Sequence, residues 1–296
     1  MRRLIALALT LAGIALLVTT PSHSQAATAP TRLTIVTEGA AKGPAVLMLP
    51  GLASSRSVFD TEARILAPMY RLYRVQLNGF GGQPAGPNAS GPILSPVVEE
   101  LHQYIVANHL HPAVIGHSMG GLLGLMLADA HPEDVQKLLI VDSLPFYALV
   151  FNQKATVATM RPQAQMIHDQ MLHMPDAEFI ASVPSQMAYM VNDPEGRKAA
   201  SASALSSDRA TFANAMQEDM TTDIRARLAS IKTPSTLLYP FDAAAVGNDT
   251  TSVDNVYKTA YATMPNLTTH RIENSRHFIM YDQPAAFDAQ VQTFLK

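Results

Sequence analysis

The chain alternates short apolar runs with segments in which apolar residues recur at helical spacing. The runs typical of strands cover residues 33–37, 45–49, 70–77, 112–116, 138–141, 236–239 and 267–272. Helical spacing covers residues 95–107, with Ser95 at the capping position, 122–130 and 284–296. This alternation predicts an α/β fold, in which a mostly parallel sheet is flanked by helices.

Residues 145–227 interrupt the alternation because they contain no convincing strand pattern. They hold eight of the 15 methionines of the chain: Met160, Met166, Met171, Met174, Met187, Met190, Met216 and Met220. We predict a helical cap here, inserted after the sixth strand and placed over the active site. The methionines are typical of core packing, but flexible thioethers also suit a wall that adapts to apolar ligands.

The first 26 residues have the pattern of a secretory signal peptide. Arg2 and Arg3 precede an apolar stretch of 15 residues, 4–18, and Ser24 and Ala26 are small residues at the positions that signal peptidase reads. The apolar stretch is shorter than the roughly 20 residues that a spanning helix needs. We expect cleavage after Ala26, export to the periplasm or medium, and no stable membrane anchor. An uncleaved anchor is the alternative.

Composition limits the classes of partner and the means of stabilisation. The chain has no cysteine, so an exported form would depend on its apolar core rather than on disulfides. About 270 mature residues suffice for one large domain, which we divide into a core (27–144), the cap (145–227) and the rest of the core (228–296). Removing Arg2 and Arg3 leaves 19 basic against 24 acidic side chains, a net charge of −5. Such mild acidity gives no reason to expect nucleic acid as a partner.

The run Gly116-His117-Ser118-Met119-Gly120-Gly121 stands between an apolar strand and a helical segment. A G-x-S-x-G run also occurs by chance, but a preceding strand and a following helix are the context of a nucleophile elbow. The turn is sharp enough to strain the serine and to require glycine two residues before and after it. We therefore predict that Ser118 is the nucleophile and that the Met119 N–H faces the developing oxyanion.

A serine hydroxyl needs a base, and His277 is the best candidate. It lies in a loop between the last strand and the last helix, from which it can reach over the sheet edge. Seven competing histidines lie on or near helices, within the last strand or inside the elbow: His102, His109, His117, His131, His168, His173 and His270. We expect a structural role for His117. The five-residue spacing of the two cap histidines suits no metal pair, and we predict no metal site.

The acid that orients His277 is less clearly marked. Asp242 follows the strand at 236–239 and is our preferred candidate, because a loop at that strand end can reach His277. Asp142, at the end of the strand at 138–141, is the rival. Asp249 and Asp254 lie further into the next loop and helix.

These motifs resemble those of the α/β-hydrolase superfamily, in its lid-bearing branch of small serine esterases. The resemblance covers essentially the whole mature chain and is carried by residues 49–55 (LPGLASS), 116–121 (GHSMGG) and 277–284 (HFIMYDQP). It implies a Ser-Asp-His triad, and an oxyanion hole formed by the backbone amides of Leu52 and Met119. Pro50 replaces the histidine that commonly precedes the oxyanion glycine. Pro240 replaces the usual glycine after the seventh strand, which leaves the acid open.

Two phenylalanines are candidates for the substrate pocket. Phe80 lies in the glycine-rich loop 78–83, which matches the family's loop after the fourth strand, and Phe146 stands at the entry of the cap. The alternative for Phe80 is plain packing.

The sequence thus predicts an exported serine hydrolase that cleaves small to medium carboxylic esters without a cofactor. Its partner would be a small-molecule ester. The same residues could hydrolyse a lactone, thioester, amide or carbon–carbon bond, or form a peracid. A non-catalytic ligand-binding protein on the same fold is the alternative from another class.

Overall fold

The computed structural model describes residues 31–296, and the predicted signal peptide, residues 1–26, lies outside them. The strands are β1 (Leu33–Gly39), β2 (Ala45–Leu49), β3 (Arg71–Leu77), β4 (Ala113–His117), β5 (Lys137–Val141), β6 (Ser235–Phe241) and β7 (Leu267–Glu273). They form one sheet in the order β1-β3-β2-β4-β5-β6-β7. Only β1 runs antiparallel, paired with β3 at the edge. The predicted mostly parallel sheet is confirmed.

Burial explains why the central strands read as continuous apolar runs. All five residues of β4, and four of five in both β2 and β5, are buried. Helices cover a parallel sheet, so such strands need apolar side chains on both faces. In contrast, β1 at the edge is half exposed.

The helices of the described chain are as follows: α1 (Asp60–Leu66), α2 (Leu94–Ala107), α3 (Met119–Ala130), α4 (Val157–His173), α5 (Asp176–Met190), α6 (Pro194–Leu205), α7 (Arg209–Thr221), α8 (Ala243–Val246), α9 (Thr250–Ala260), α10 (Ile279–Asp282) and α11 (Pro284–Leu295). Helix α3 packs on β4 and β5 and is buried along most of its length. None of these helices has the length and apolar character that crossing a membrane requires.

Four helices, α4 to α7, lie between β5 and β6, where we predicted a helical insertion. The strand before them is the fifth of the described chain in sequence order rather than the sixth. The predicted count was one too high because the sequence pattern itself contains only five strands before this segment. We use the name cap for residues 145–227.

Hydrogen bonds fix the cap to the core at several points. The Glu218 carboxylate on α7 accepts from the backbone N–H groups of Ile93 and Leu94, at 2.6 and 2.9 Å, and so caps α2. The predicted cap residue, Ser95, lies inside the helix, which begins one residue earlier than expected. Ser203 on α6 donates to the carbonyl of Ala53 at 2.9 Å, next to the loop that follows β2. The cap thereby rests on the carboxyl edge of the sheet.

Candidate active site

Ser118 occupies a strained turn between β4 and α3. Its backbone torsions are φ 54° and ψ −126°, a conformation that non-glycine residues rarely adopt. The turn is held by the Ser118 N–H, which donates to the carbonyl of Val141 at the end of β5 at 2.9 Å. Gly121 donates in turn to the Ser118 carbonyl at 2.7 Å. These contacts fix the serine at the edge of the sheet, as the sequence predicted.

The two glycines that flank the serine are required by close backbone packing. A Cβ at Gly116 would come within 3.0 Å of the Gly120 carbonyl oxygen, and one at Gly120 would come equally close to the Leu49 carbonyl oxygen. Backbone atoms of buried strands cannot move aside at low cost. Glycine at these positions therefore sets the position of the nucleophile.

We expect Gly120→Ala to destabilise the protein by about 1–3 kcal/mol, the usual cost of overpacking. Gly124→Ala is the matched control in the same helix, because its added Cβ meets mainly the flexible end of Leu138. Alanine otherwise favours a helix by about 1 kcal/mol over glycine. Urea unfolding of both variants measures the difference, and an equal stability of the two would contradict the packing argument.

His277 forms a hydrogen-bonded pair with Asp142. The distance from His277 Nδ1 to Asp142 Oδ2 is 2.6 Å, and both side chains are largely buried. An ionised carboxylate only accepts hydrogen bonds, so Nδ1 carries the proton in this pair. The neutral ring then has its lone pair on Nε2, which is the state that a general base requires.

A second hydrogen bond fixes the Asp142 carboxylate. Tyr257 on α9 donates its hydroxyl to Asp142 Oδ1 at 2.5 Å. Burial, followed by the charge of Asp142, raises the pKa of Tyr257 well above its ordinary value, so the phenol keeps its proton. Tyr257 is not identifiable from the sequence, because nothing in the pattern of α9 indicates which residue its hydroxyl contacts.

Asp242, our preferred acid, does not contact His277. Its Oδ2 atom accepts from Arg276 Nε at 2.7 Å and from Asn192 Nδ2 at 3.2 Å. Burial alone would raise the pKa of Asp242, but these hydrogen bonds outweigh it and lower the pKa. His277 thus pairs with Asp142 and not with Asp242 as we predicted, because Asp242 forms an ion pair with the adjacent Arg276. Asp254 also lies elsewhere, in an ion pair with Arg271.

His117 supports His277 from inside the elbow. It is completely buried, and its Nε2 donates to the backbone carbonyl of His277 at 3.0 Å. Burial, with a smaller contribution from His277, lowers the pKa of His117 well below its ordinary value, so the ring is neutral. This geometry agrees with the structural role that we expected for His117.

The two amides proposed for the oxyanion hole remain available. Within residues 31–296, neither the Leu52 N–H nor the Met119 N–H donates to another protein group. Leu52 lines the cavity described below, whereas the buried Met119 side chain belongs to the core. At the first position of α3, the Met119 amide also benefits from the positive end of the helix dipole.

A cavity of about 420 Å³ lies between the sheet edge and the cap and is lined by Ser118, Asp142 and His277. Most of the rest of its wall is apolar: Leu52, Leu144, Val150, Met187, Met190, Phe212, Met216, Val253 and Phe278. Neither predicted pocket phenylalanine belongs to it. Phe80 is fully buried in the core, and Phe146 packs its ring under the Arg225 guanidinium. Tyr147, next along the chain, lines the cavity instead.

In the described part of the chain, one group of side chains comes close enough for a metal: His102, His131 and Glu133. The two imidazole rings are stacked 3.6 Å apart at an interplanar angle of 9°. Nitrogen lone pairs lie in the ring plane, so parallel stacked rings cannot both direct one at the same ion. His102 Nδ1 is also occupied by Asp134 at 2.8 Å.

Part of the sequence is similar to that of known hydrolases. RutD of Escherichia coli O157:H7, provisionally named a carbamate hydrolase, is 33% identical over 103 residues, which are 34% of this chain and 38% of RutD. The sn-1-specific diacylglycerol lipase ABHD11 of Mus musculus is 32% identical over 111 residues, 36% of this chain and 35% of the lipase. The chain thus matches little more than a third of the length of either relative.

The likeness to solved structures covers nearly the whole described chain. The esterase EaEST of Exiguobacterium antarcticum superimposes with a TM-score of 0.72 at 15% identity, over 89% of this chain and 95% of the esterase. Such low identity supports the fold alone. The model of the alpha/beta hydrolase family, however, matches residues 46–290, from β2 into α11. The chain therefore belongs to the alpha/beta hydrolase family and is a hydrolase.

Proposed function

We propose that this hydrolase is a serine esterase that cleaves small to medium carboxylic esters through an acyl-enzyme. The observation that carries the proposal is the His277–Asp142 hydrogen bond at the same cavity as the strained Ser118. A serine, a histidine and a carboxylate in this arrangement constitute the machinery of acyl transfer.

In the proposed reaction, Ser118 Oγ attacks the ester carbonyl carbon while His277 Nε2 takes the hydroxyl proton. The amides of Leu52 and Met119 hold the resulting oxyanion. The tetrahedral adduct then collapses, and the leaving alcohol receives the proton from His277. Asp142 holds the imidazole in position and stabilises its charged form. Water, deprotonated by His277, hydrolyses the acyl-enzyme and releases the acid.

Fluorophosphonate labelling tests this proposal directly, because the probe reacts with an activated serine and not with a passive binding pocket. We expect the Ser118→Ala variant to lose both the labelling and the hydrolysis of p-nitrophenyl butyrate. Protein that binds esters without labelling or turnover would support the ligand-binding alternative. Higher activity on lactones or amides than on esters would show that the preferred substrate is a lactone or an amide, hydrolysed by the same triad.

Export remains a prediction from residues 1–26, which the structure does not describe. N-terminal sequencing of protein recovered from a secreting bacterial host is the test. We expect the mature chain to begin at Ala27, within a few residues.

The size and apolar character of the cavity predict a dependence on acyl length. Each buried methylene is worth about 0.8 kcal/mol, or about fourfold in kcat/KM. We expect kcat/KM to rise from acetate towards butyrate or hexanoate and to fall for longer chains, because the pocket has limited volume. A series of p-nitrophenyl esters from two to sixteen carbons, below the critical micelle concentration, measures the optimum.

Two variants of the cap compare a methionine that lines the cavity with one that lies on the protein surface. Met216 lines the cavity, whereas Met166 is exposed. Met216→Ala should shift the optimum to longer chains, and Met166→Ala should leave it unchanged. A monotonic fall from acetate would indicate a short acyl pocket, and a rise that continues to palmitate with activation at oil–water interfaces would indicate a lipase.

A further inference from the structure

One carboxyl group in the cavity wall takes no part in the proposed reaction. Asp219 lies on α7, and Phe212, Met216 and Asp219 follow one another along its cavity-facing side at helical spacing. Its residue is 6% exposed, so the carboxyl is held in a largely apolar enclosure. The carboxyl therefore belongs to the wall that the substrate meets.

Asp219 has no hydrogen-bond partner within the described residues, 31–296. This contrasts with every other carboxylate of the cavity: Asp142 is held by His277 and Tyr257, and Asp242 by Arg276. A largely buried polar group without a protein partner is uncommon in natural proteins, because its desolvation is not compensated by a hydrogen bond. A ligand in the cavity that brings a donor would supply the missing hydrogen bond.

The electrostatic surroundings agree with an uncompensated acid. Burial raises the pKa of Asp219 to about 7, although the nearby His277 acts in the opposite direction. Burial, followed by the charge of Asp219, also raises the pKa of Tyr147 to about 12. Tyr147 lines the same cavity, so a polar corner of Asp219 and Tyr147 interrupts its apolar wall.

We propose that Asp219 is a substrate-binding residue that accepts a hydrogen bond from an N–H or O–H group of the substrate. The inference rests on the ester hydrolysis proposed above and adds the substrate class: esters that carry a hydrogen-bond donor near the scissile bond. A site built to bond a donor rejects the analogue that lacks it, because its buried acceptor then stays unpaired. Purely apolar esters of the same size are therefore the poorer substrates.

Two pairs of ethyl esters with equal numbers of heavy atoms test the proposal. Ethyl N-acetylglycinate presents an N–H where ethyl 4-oxopentanoate has a methylene. Ethyl 4-aminobutanoate presents an ammonium where ethyl pentanoate has a methyl group. Titration of the released acid gives kcat/KM for each ester. The first pair tests a neutral donor and the second a cationic one.

We expect the wild-type protein to prefer the donor member of at least one pair by about tenfold or more. In Asp219→Leu that preference should fall to near unity. Gln217→Leu is the matched control, because Gln217 lies two residues away on α7, outside the cavity wall, and bonds Gln165 at the surface. It should keep the wild-type ratio.

Two outcomes would overturn the proposal. In the first, the wild-type protein hydrolyses both members of each pair at equal rates. In the second, Asp219→Leu retains the wild-type preference. An equal fall of kcat on all four esters would instead show that Asp219 acts through His277. If Asp219→Leu does not fold, Asp219→Asn keeps the shape and should lose the preference for the ammonium ester, and a retained preference again contradicts the proposal. Failure of ester hydrolysis in wild-type protein would overturn the proposed function itself.

Discussion

Ser118→Ala is expected to lower kcat for ester hydrolysis by about 10⁶-fold, leaving only the contribution of binding and of the oxyanion amides. The reason is chemical: no other hydroxyl stands on the strained turn with its backbone bonded to the end of β5. Fluorophosphonate labelling should disappear in the same variant. The fold should remain, because a methyl group replaces a hydroxymethyl group without altering the backbone.

A second serine of the cavity provides the matched control. Ser143 lines the same cavity, next to Asp142, and its hydroxyl makes no hydrogen bond within residues 31–296. Ser143→Ala should cost less than about tenfold and keep the labelling. Melting temperatures of both variants exclude unfolding as the cause. More than a few per cent of activity in Ser118→Ala would show that the nucleophile lies elsewhere.

The sequence was sufficient for the parts of the fold that depend on local pattern. The central strands β2, β4 and β5 are buried on both faces, so each is visible as a continuous apolar run. The elbow is visible because its turn tolerates only glycine at Gly116 and Gly120. His277 was identifiable because the loop before the last helix has one histidine. These features are set by a few adjacent residues.

The acid was not identifiable in this way, because Asp142 and Asp242 both follow parallel strands. Strands β5 and β6 are neighbours and end at the same edge, so either carboxylate could meet His277. The choice depends on Arg276, which stands beside His277 and pairs with Asp242. The position of Arg276 directly before His277 is the signal in the sequence that favours Asp142, because a cation there can pair with Asp242.

The pocket residues were missed for a related reason. Large apolar side chains occur both in a core and in a cavity wall. The sequence therefore could not assign Phe80 and Phe146 to one or the other. Tertiary contacts decide: both rings lie in the core, and the Arg225 guanidinium also covers the ring of Phe146. Likewise, Asp219 is one of two acidic residues on α7, and only its burial at the cavity distinguishes it.

Asp142→Asn is expected to lower kcat by about 10⁴-fold, while Asp242→Asn should cost less than about tenfold. An asparagine at 142 cannot stabilise the charged imidazole, and its amide can donate to Nδ1 and so favour the wrong tautomer. At 242 the same change removes a charge that faces Arg276, not the base, so its main effect should be on stability.

The two variants are matched controls for each other, because each replaces a partly buried, hydrogen-bonded carboxylate at the end of a neighbouring strand with its isosteric amide. The measurement is kcat with p-nitrophenyl butyrate, together with urea unfolding. Tyr257→Phe removes the second hydrogen bond to Asp142 and keeps the charge, so it should have an intermediate effect, about tenfold or less. The reverse ranking of the two asparagine variants would place the acid on β6. The His277–Asp142 pair would then be a structural contact, and the base would depend on Asp242 reaching His277 during turnover.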